Sequence, residues 1–462
     1  MIPLSPGNKF IVGINKGWFG GEYDHDLGYN QFSKNRAYNP NITNLSLPDP
    51  NPDKPYLSSH VEEIHSFFRK LQTAEQNVDV PRVVRVWAFE LFEGLRFDAQ
   101  CHVIGIDSEF LSNLNILMSA AKSVGVEIYL CLFDAVTICE KPPSDLAEKE
   151  LQRYFELQNT WKKIMRLLLK DKTAQQKFFD NALHQLLEQS SIVGNLFAID
   201  LMNEPEGLIE KDPEFNLQDI INFIASSSDY IRKVDSSIRI SCGFQRHSTL
   251  MGEYYNTKAY VANNLKAYLD FFDFHEYNAS GILEYNDITA MTGKPCIVGE
   301  CGYPLKGSNP KDPNDPINAT EVAVIAIQRF FENANSKSFA GCISWFEDYK
   351  KKQDGILESL KDFTKKNPMI LEAKKQGCFI ATAAMGSELH PHVQLLRQYR
   401  DSVILKSVYK EPFLKILDVY YSFSPAVADL MEKNAFAKSL IKYLFVYPLV
   451  LSIKILTKLI GK

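Results

Sequence analysis

Eight short apolar runs, spread over the first 345 residues, constrain this sequence most. They are Phe10–Asn15, Arg82–Trp87, Glu127–Phe133, Leu196–Met202, Ile238–Gly243, Phe271–Phe274, Cys296–Gly299 and Ala340–Trp345. Each is too short for a helix, and near-continuous apolar character is what a strand covered on both faces requires. Helical periodicity fills the intervals, most clearly over His60–Leu71, Ser108–Ser123, Asp145–Leu169, Gln218–Val234 and Glu321–Asn335. Strands alternating with helices predict a parallel sheet, and eight such units predict closure into a (β/α)8 TIM barrel. The stretch Ala147–Ser190 exceeds one crossover helix and predicts an extra helix on the outer ring. Phe32–Tyr56, rich in Asn and Pro, reads as a long loop after the first strand, a place where clefts are built.

The alternation stops near Lys366. Lys361–Lys375 is polar and Lys-rich, and from Gly377 the character changes to apolar helical segments with no strand runs. The reading is therefore an α/β barrel over residues 1–366, then a boundary between Asn367 and Gly377, then a small, mainly helical domain over 377–462.

Two of the strand runs end in a glutamate. Glu204 closes the run that begins at Leu196, and Glu300 follows Cys296–Gly299. A carboxylate at the end of a buried strand is costly unless it faces a polar site. Their separation, 300 − 204 = 96 residues, is about three βα units of roughly 31 residues, which places them on the fourth and seventh barrel strands. Barrel active sites are built at the carboxyl ends of strands, and two facing carboxylates are what glycoside hydrolysis needs. The structural alternative is that each acid merely caps the turn that follows it. Other strand ends carry Arg85 and Trp87 on one face, Asn203 before Glu204, His275 and Tyr277 on one face, and Trp345. Singly, each has a packing or ion-pair explanation; together they crowd one predicted rim.

Composition narrows the partners. A net charge of −5 leaves no nucleic-acid footprint. Met1–Lys9 has no apolar core of a signal peptide, and several of the eight cysteines sit in apolar strand runs, so the thiols read as reduced and the protein as cytoplasmic. Cys296 and Cys301, five apart, point to opposite faces of an extended strand. The sequons at Asn41, Asn44, Asn278 and Asn318 are then chance matches.

With these residues in view, roughly residues 8–362 resemble clan A glycoside hydrolases, most closely the family 5 cellulase and mannanase group. The resemblance rests on Arg85 within Val84-Arg-Val-Trp87, Asn203-Glu204-Pro205, His275-Glu-Tyr277, Glu300 after Ile297-Val-Gly299, and Trp345 within Ser344-Trp-Phe346. It implies a retaining hydrolase of β-linked glucan or mannan oligo- and polysaccharides, working without cofactor or metal. It further implies Glu204 as acid/base, Glu300 as nucleophile, Asn203 on the sugar 2-hydroxyl, Arg85 and Tyr277 holding Glu300 ionised, His275 beside Glu204, and Trp345 flooring the cleaved sugar's subsite. Many members carry a His near the end of the third barrel strand; here Leu132-Phe-Asp134 stands there, leaving any polar role to Asp134. A barrel that only binds carbohydrate is the rival expectation.

Gly377-Cys-Phe-Ile-Ala-Thr-Ala-Ala-Met-Gly-Ser387, followed by His390-Pro391 and Tyr420-Tyr-Ser-Phe-Ser-Pro425, resembles the CFI-box C-terminal domain over roughly residues 376–452. That resemblance implies sorting or envelope docking more than a reaction. Cys378 reads as a buried or modified thiol, and with His390 and His392 it makes no regular metal-ligand set. The apolar run Tyr443–Ile453, flanked by Lys442 and Lys454, is short for a bilayer crossing and suits a packed helix or one lying at a membrane surface.

Overall fold

A computed structural model describes residues 10–19, 27–28, 30–32, 56–71, 82–142, 144, 146–252, 261–277, 283–284, 286–302, 320–345, 353–366, 379–385, 391–400, 427, 431 and 434–460. The Asn/Pro-rich segment after the first strand (apart from its end residues), residues 367–377, the four sequons, Cys378 and His390 lie outside these residues, whereas Lys361–Lys366 of the Lys-rich stretch end a helix that begins at Gln353. The chain divides into two compact units, Met1–Lys366 and Asn367–Lys462.

The first unit is a (β/α)8 barrel. Its strands are β1 (Ile11–Asn15), β2 (Val83–Trp87), β5 (Glu127–Cys131), β6 (Leu196–Asn203), β7 (Ile240–Phe244), β8 (Phe272–Glu276), β9 (Cys296–Cys301) and β10 (Gly341–Trp345). They close in the order β1-β10-β9-β8-β7-β6-β5-β2, and every neighbouring pair is parallel. All eight sequence runs fall on these strands, with ends shifted by one or two residues. Two shifts matter for the site. His275 and Glu300 lie inside β8 and β9 rather than just past them. The antiparallel pair β3 (Leu95–Phe97) and β4 (Val103–Ile106), inserted after β2, was not among the expected strands.

Helices cover the barrel. Tyr56–Leu71, Ser108–Ser123, Glu148–Lys170, Leu217–Val234 and Thr320–Ser336 stand where periodicity predicts them. The long stretch after β5 holds three further helical segments between Lys172 and Val193. Local chemistry fixes their ends: Asp107, Asp171 and Asn216 accept backbone N–H bonds as N-caps, and Gly194 takes the left-handed turn after Val193.

Inside the barrel, the amino-terminal end is filled by Ile11, Val83, Phe197, Phe271, Ile297 and Ile343, all buried. Sealing each such side chain from water contributes about 1.5–3 kcal/mol. Tyr129 caps this layer and donates from its hydroxyl to Asp273 Oδ2 at 2.8 Å. From that level upward the interior turns polar, and there the candidate site begins.

The second unit is helical where it is described: Phe379–Met385, Pro391–Tyr399, Ala435–Ile441, Lys442–Val446 and Tyr447–Ile460. Its core joins Ala381, Ala384, Val393, Leu396, Met431, Val446, Val450 and Ile453. His392 packs edge-on against Tyr447 at 5.4 Å.

Candidate active site

Arg85 is the hub. It projects inward from the middle of β2, fully buried. Its Nη2 donates to Asp200 Oδ2 at 2.6 Å and Asn203 Oδ1 at 2.8 Å, and its Nη1 to Asn15 Oδ1 at 3.0 Å and Glu300 Oε2 at 3.2 Å. Nε adds a second bond to Asp200 at 3.1 Å. Burial works against its charge, but the surrounding acids, Asp200 first, hold the guanidinium protonated. A planar five-donor fork is the group that can reach three other strands, β1, β6 and β9, at once.

Glu300 is held from three sides. Tyr277 donates its hydroxyl to Oε1 at 2.5 Å, Arg85 reaches Oε2, and His275 Nδ1 lies 3.7 Å from Oε2. Burial nevertheless pushes its carboxyl above the usual range, with Glu204 reinforcing the shift and His275, Arg85 and Tyr277 opposing it. Arg85 and Tyr277 thus act on Glu300 in the expected direction, favouring the carboxylate against the burial that raises it.

Glu204 follows β6 with φ of +46°, a left-handed backbone that is strained for a side chain with a Cβ. Its N–H is pinned to Gly243 O at 2.7 Å. The side chain meets His275 Nδ1 at 2.8 Å through Oε1 and Gln245 Nε2 at 3.1 Å through Oε2. It does not cap the following helix, Glu206–Lys211, so the capping alternative fails. Burial, helped by Asp134, raises its carboxyl to about 7. His275 is driven the other way, to about 4, chiefly by burial, and is neutral near pH 7. Its Nε2 and Arg85 Nη2 each lie 3.0 Å from the point a side chain on Gly243 would take. The Nδ1–H tautomer therefore suits it, since that leaves a lone pair rather than an N–H beside the guanidinium.

One carboxylate oxygen from each glutamate and one ring nitrogen of His275 lie within 4.8 Å of one another. Three such donors could in principle hold a cation. Arg85, Tyr277 and Gln245 already engage the carboxylate oxygens, and a cation would sit beside a buried guanidinium.

Asn203 is fixed at both ends of its amide, by Arg85 and by its own Nδ2 bond to Asp134 Oδ1 at 2.7 Å. Asp134, buried at the end of the third barrel strand, takes the polar position foreseen for it. Trp87 and Trp345 meet at 5.7 Å, and Trp18 joins them at 5.3 and 5.7 Å to form a three-ring wall beside the carboxylates' strands. The indole N–H of Trp87 is buried without a hydrogen-bond partner among the described residues. The eight residues expected at the site are thus all at one end of the barrel.

Several residues that belong there were not foreseen. Gln245, directly after β7, touches Glu204, and Glu206 accepts the Gln245 N–H at 2.9 and 3.0 Å. Burial raises Glu206 to about 7 as well. Asp200 orients Arg85, and Trp18 completes the aromatic wall. A charge in the middle of an apolar strand run was the available signal for Asp200 and Asp273. Gln245 offered only its place at a strand end.

No protein-family model matches this chain, and no curated protein does. Solved structures do. The β-mannanase of the blue mussel Mytilus edulis superposes with a TM-score of 0.51 at 18% identity, covering 77% of this chain and 92% of that one. The β-1,4-mannanase of the sea hare Aplysia kurodai gives 0.51 at 20%, covering 77% and 93%. The β-1,4-D-mannanase of Cryptopygus antarcticus gives 0.51 at 17%, covering 76% and 90%. At these identities the likeness establishes the shared barrel fold.

Proposed function

We propose that the barrel is a retaining β-glycoside hydrolase acting on β-1,4-linked mannan or glucan chains. The observation that carries this is the approach of the Glu204 and Glu300 carboxylates within 4.8 Å, with His275 between them. Retaining enzymes hold their two carboxyls about 5–5.5 Å apart, whereas inverting enzymes need roughly 6.5–9.5 Å to admit a water.

The roles follow from the surroundings. Glu300, with a guanidinium and a phenol on its oxygens, is the better anion and acts as nucleophile at the anomeric carbon. Glu204, raised to about 7, carries the proton and gives it to the departing glycosidic oxygen as that bond breaks. The Glu300–sugar ester is then cleaved by water, whose proton Glu204 takes back. Asn203, locked between Arg85 and Asp134, presents its remaining N–H to the sugar 2-hydroxyl. The wall of Trp18, Trp87 and Trp345 receives the sugar faces. The names of the fold neighbours make β-1,4-mannan the first polymer to try.

The test is hydrolysis of a mannan, glucan and aryl β-glycoside panel, with product sizing. Wild type should cleave, and Glu300→Ala should lose at least about 10³-fold in rate because the covalent step disappears. No cleavage of any substrate by wild type, with sugar binding intact, would replace the hydrolase by a carbohydrate-binding barrel.

A further inference from the structure

The helical run Ala435–Ile460 of the second unit is apolar on more than one side. One side, through Val446, Val450 and Ile453, enters that unit's core. The other sides carry Leu440, Tyr443, Leu444, Phe445, Leu449 and Leu451, each 46–65% exposed. Among the described residues nine large apolar side chains are at least 45% exposed, and these six fall within twelve positions; the remaining three, Ile104, Phe155 and Ile325, are scattered. Isolated apolar surface is ordinary, but a contiguous patch marks a binding face.

The charge pattern says what covers it. The segment 435–460 holds Lys438, Lys442, Lys454 and Lys458 and no acidic residue, in a chain whose net charge is −5. Two copies of this helix would set lysine against lysine. The lysine-free stretch Tyr443–Ile453 is eleven residues, about 16 Å of helix against a hydrocarbon core of about 30 Å. Among the described residues no helix is long and apolar enough to cross a membrane. Aromatic side chains gather where the lysines begin, with Tyr443 and Tyr447 rings 5.3 Å apart and Lys442 Nζ 5.7 Å from the Tyr447 ring centre. Tyrosine and lysine together are the residues that anchor a helix at headgroup level.

We infer that this helix lies in the surface of an anionic phospholipid bilayer, its leucines and Phe445 among the upper acyl chains and its lysines at the headgroups. The inference rests on the helix alone and is independent of the hydrolase reading.

Flotation of the full chain with vesicles tests it. With about 30% phosphatidylserine in phosphatidylcholine the protein should float, and pure phosphatidylcholine should lower the partition at least about tenfold. Raising salt from about 0.1 M to about 0.5 M should weaken binding, since surface attraction is screened. Leu444→Glu with Phe445→Glu should abolish flotation. Lys442→Gln and Lys454→Gln should each lower it about fivefold, with the fold intact by circular dichroism. Three results overturn the inference. They are that wild type fails to float, that it floats equally on both lipids, or that it resists alkaline carbonate extraction as a spanning segment would. A concentration-dependent dimer that the double variant dissolves, with no flotation, would assign the face to a second copy instead.

Discussion

The barrel mouth and the helix Ala435–Ile460 break the usual sorting of side chains in opposite directions. The mouth buries charge: Arg85, Asp200 and Asp273 have no exposed surface, and Glu206 and Glu300 almost none. The helix exposes hydrocarbon. Buried charge survives because each group is another's partner, and the arrangement can only be kept whole. Exposed hydrocarbon needs nothing from its neighbours and is waiting for something outside the chain. The first kind of departure points inward, to chemistry among residues already present; the second points outward, to the bilayer surface proposed for it.

That contrast can be broken by measuring what each region costs to change. Arg85→Met should have the largest effect, a loss of about 3–5 kcal/mol of barrel stability, because it strands Asp200 and Glu300 without their cation. Denaturant unfolding checks it, and a loss under about 1 kcal/mol would show the network to be dispensable. Gly299→Ala comes next. A Cβ there would lie 1.8 Å from Asp273 Oδ1, so we expect a loss of about 1–3 kcal/mol, partly restored by adding Asp273→Ala.

Smaller effects follow. Glu206, raised to about 7 when folded against 4.5 ordinarily, binds its proton more tightly in the folded state. Its contribution to stability is therefore full below pH 4.5 and is lost as pH rises through about 7. Glu206→Gln should flatten the decline of Tm between pH 5 and pH 8 by about 2 °C; an unchanged slope would assign the decline elsewhere. Leu444→Ser, by contrast, should shift stability by no more than about 0.5 kcal/mol. A loss comparable to that of Arg85→Met would mean the exposed face is structural after all.

The barrel was legible because parallel strands covered on both faces read as unbroken apolar runs. The β3–β4 pair was not, since three- and four-residue strands carry too little pattern to separate from loop. Within the site, Glu204, Glu300, Arg85 and Tyr277 could be read from their places at strand ends. Their contacts could not, because register decides them. The shift between Asp200 and Asn203 in the β6–β7 pairing, and that between Phe274 and His275 in β8–β9, re-aim side chains in ways that a period of two does not anticipate. Gln245 and Glu206 joined the site through such turns, and Trp18 through a loop that only the fold brings beside Trp87.

Arg85's bonds from its own strand to three others have a consequence for how a sequence of this kind can drift. A replacement at Arg85 or Asp200 leaves a charged remainder in a buried interior, so a one-step path out of this arrangement through either runs through a poorly folded intermediate. On the exposed helix a single replacement leaves the fold intact. Variation should therefore accumulate quickly on the second unit and slowly at the barrel mouth, where partners can change only together.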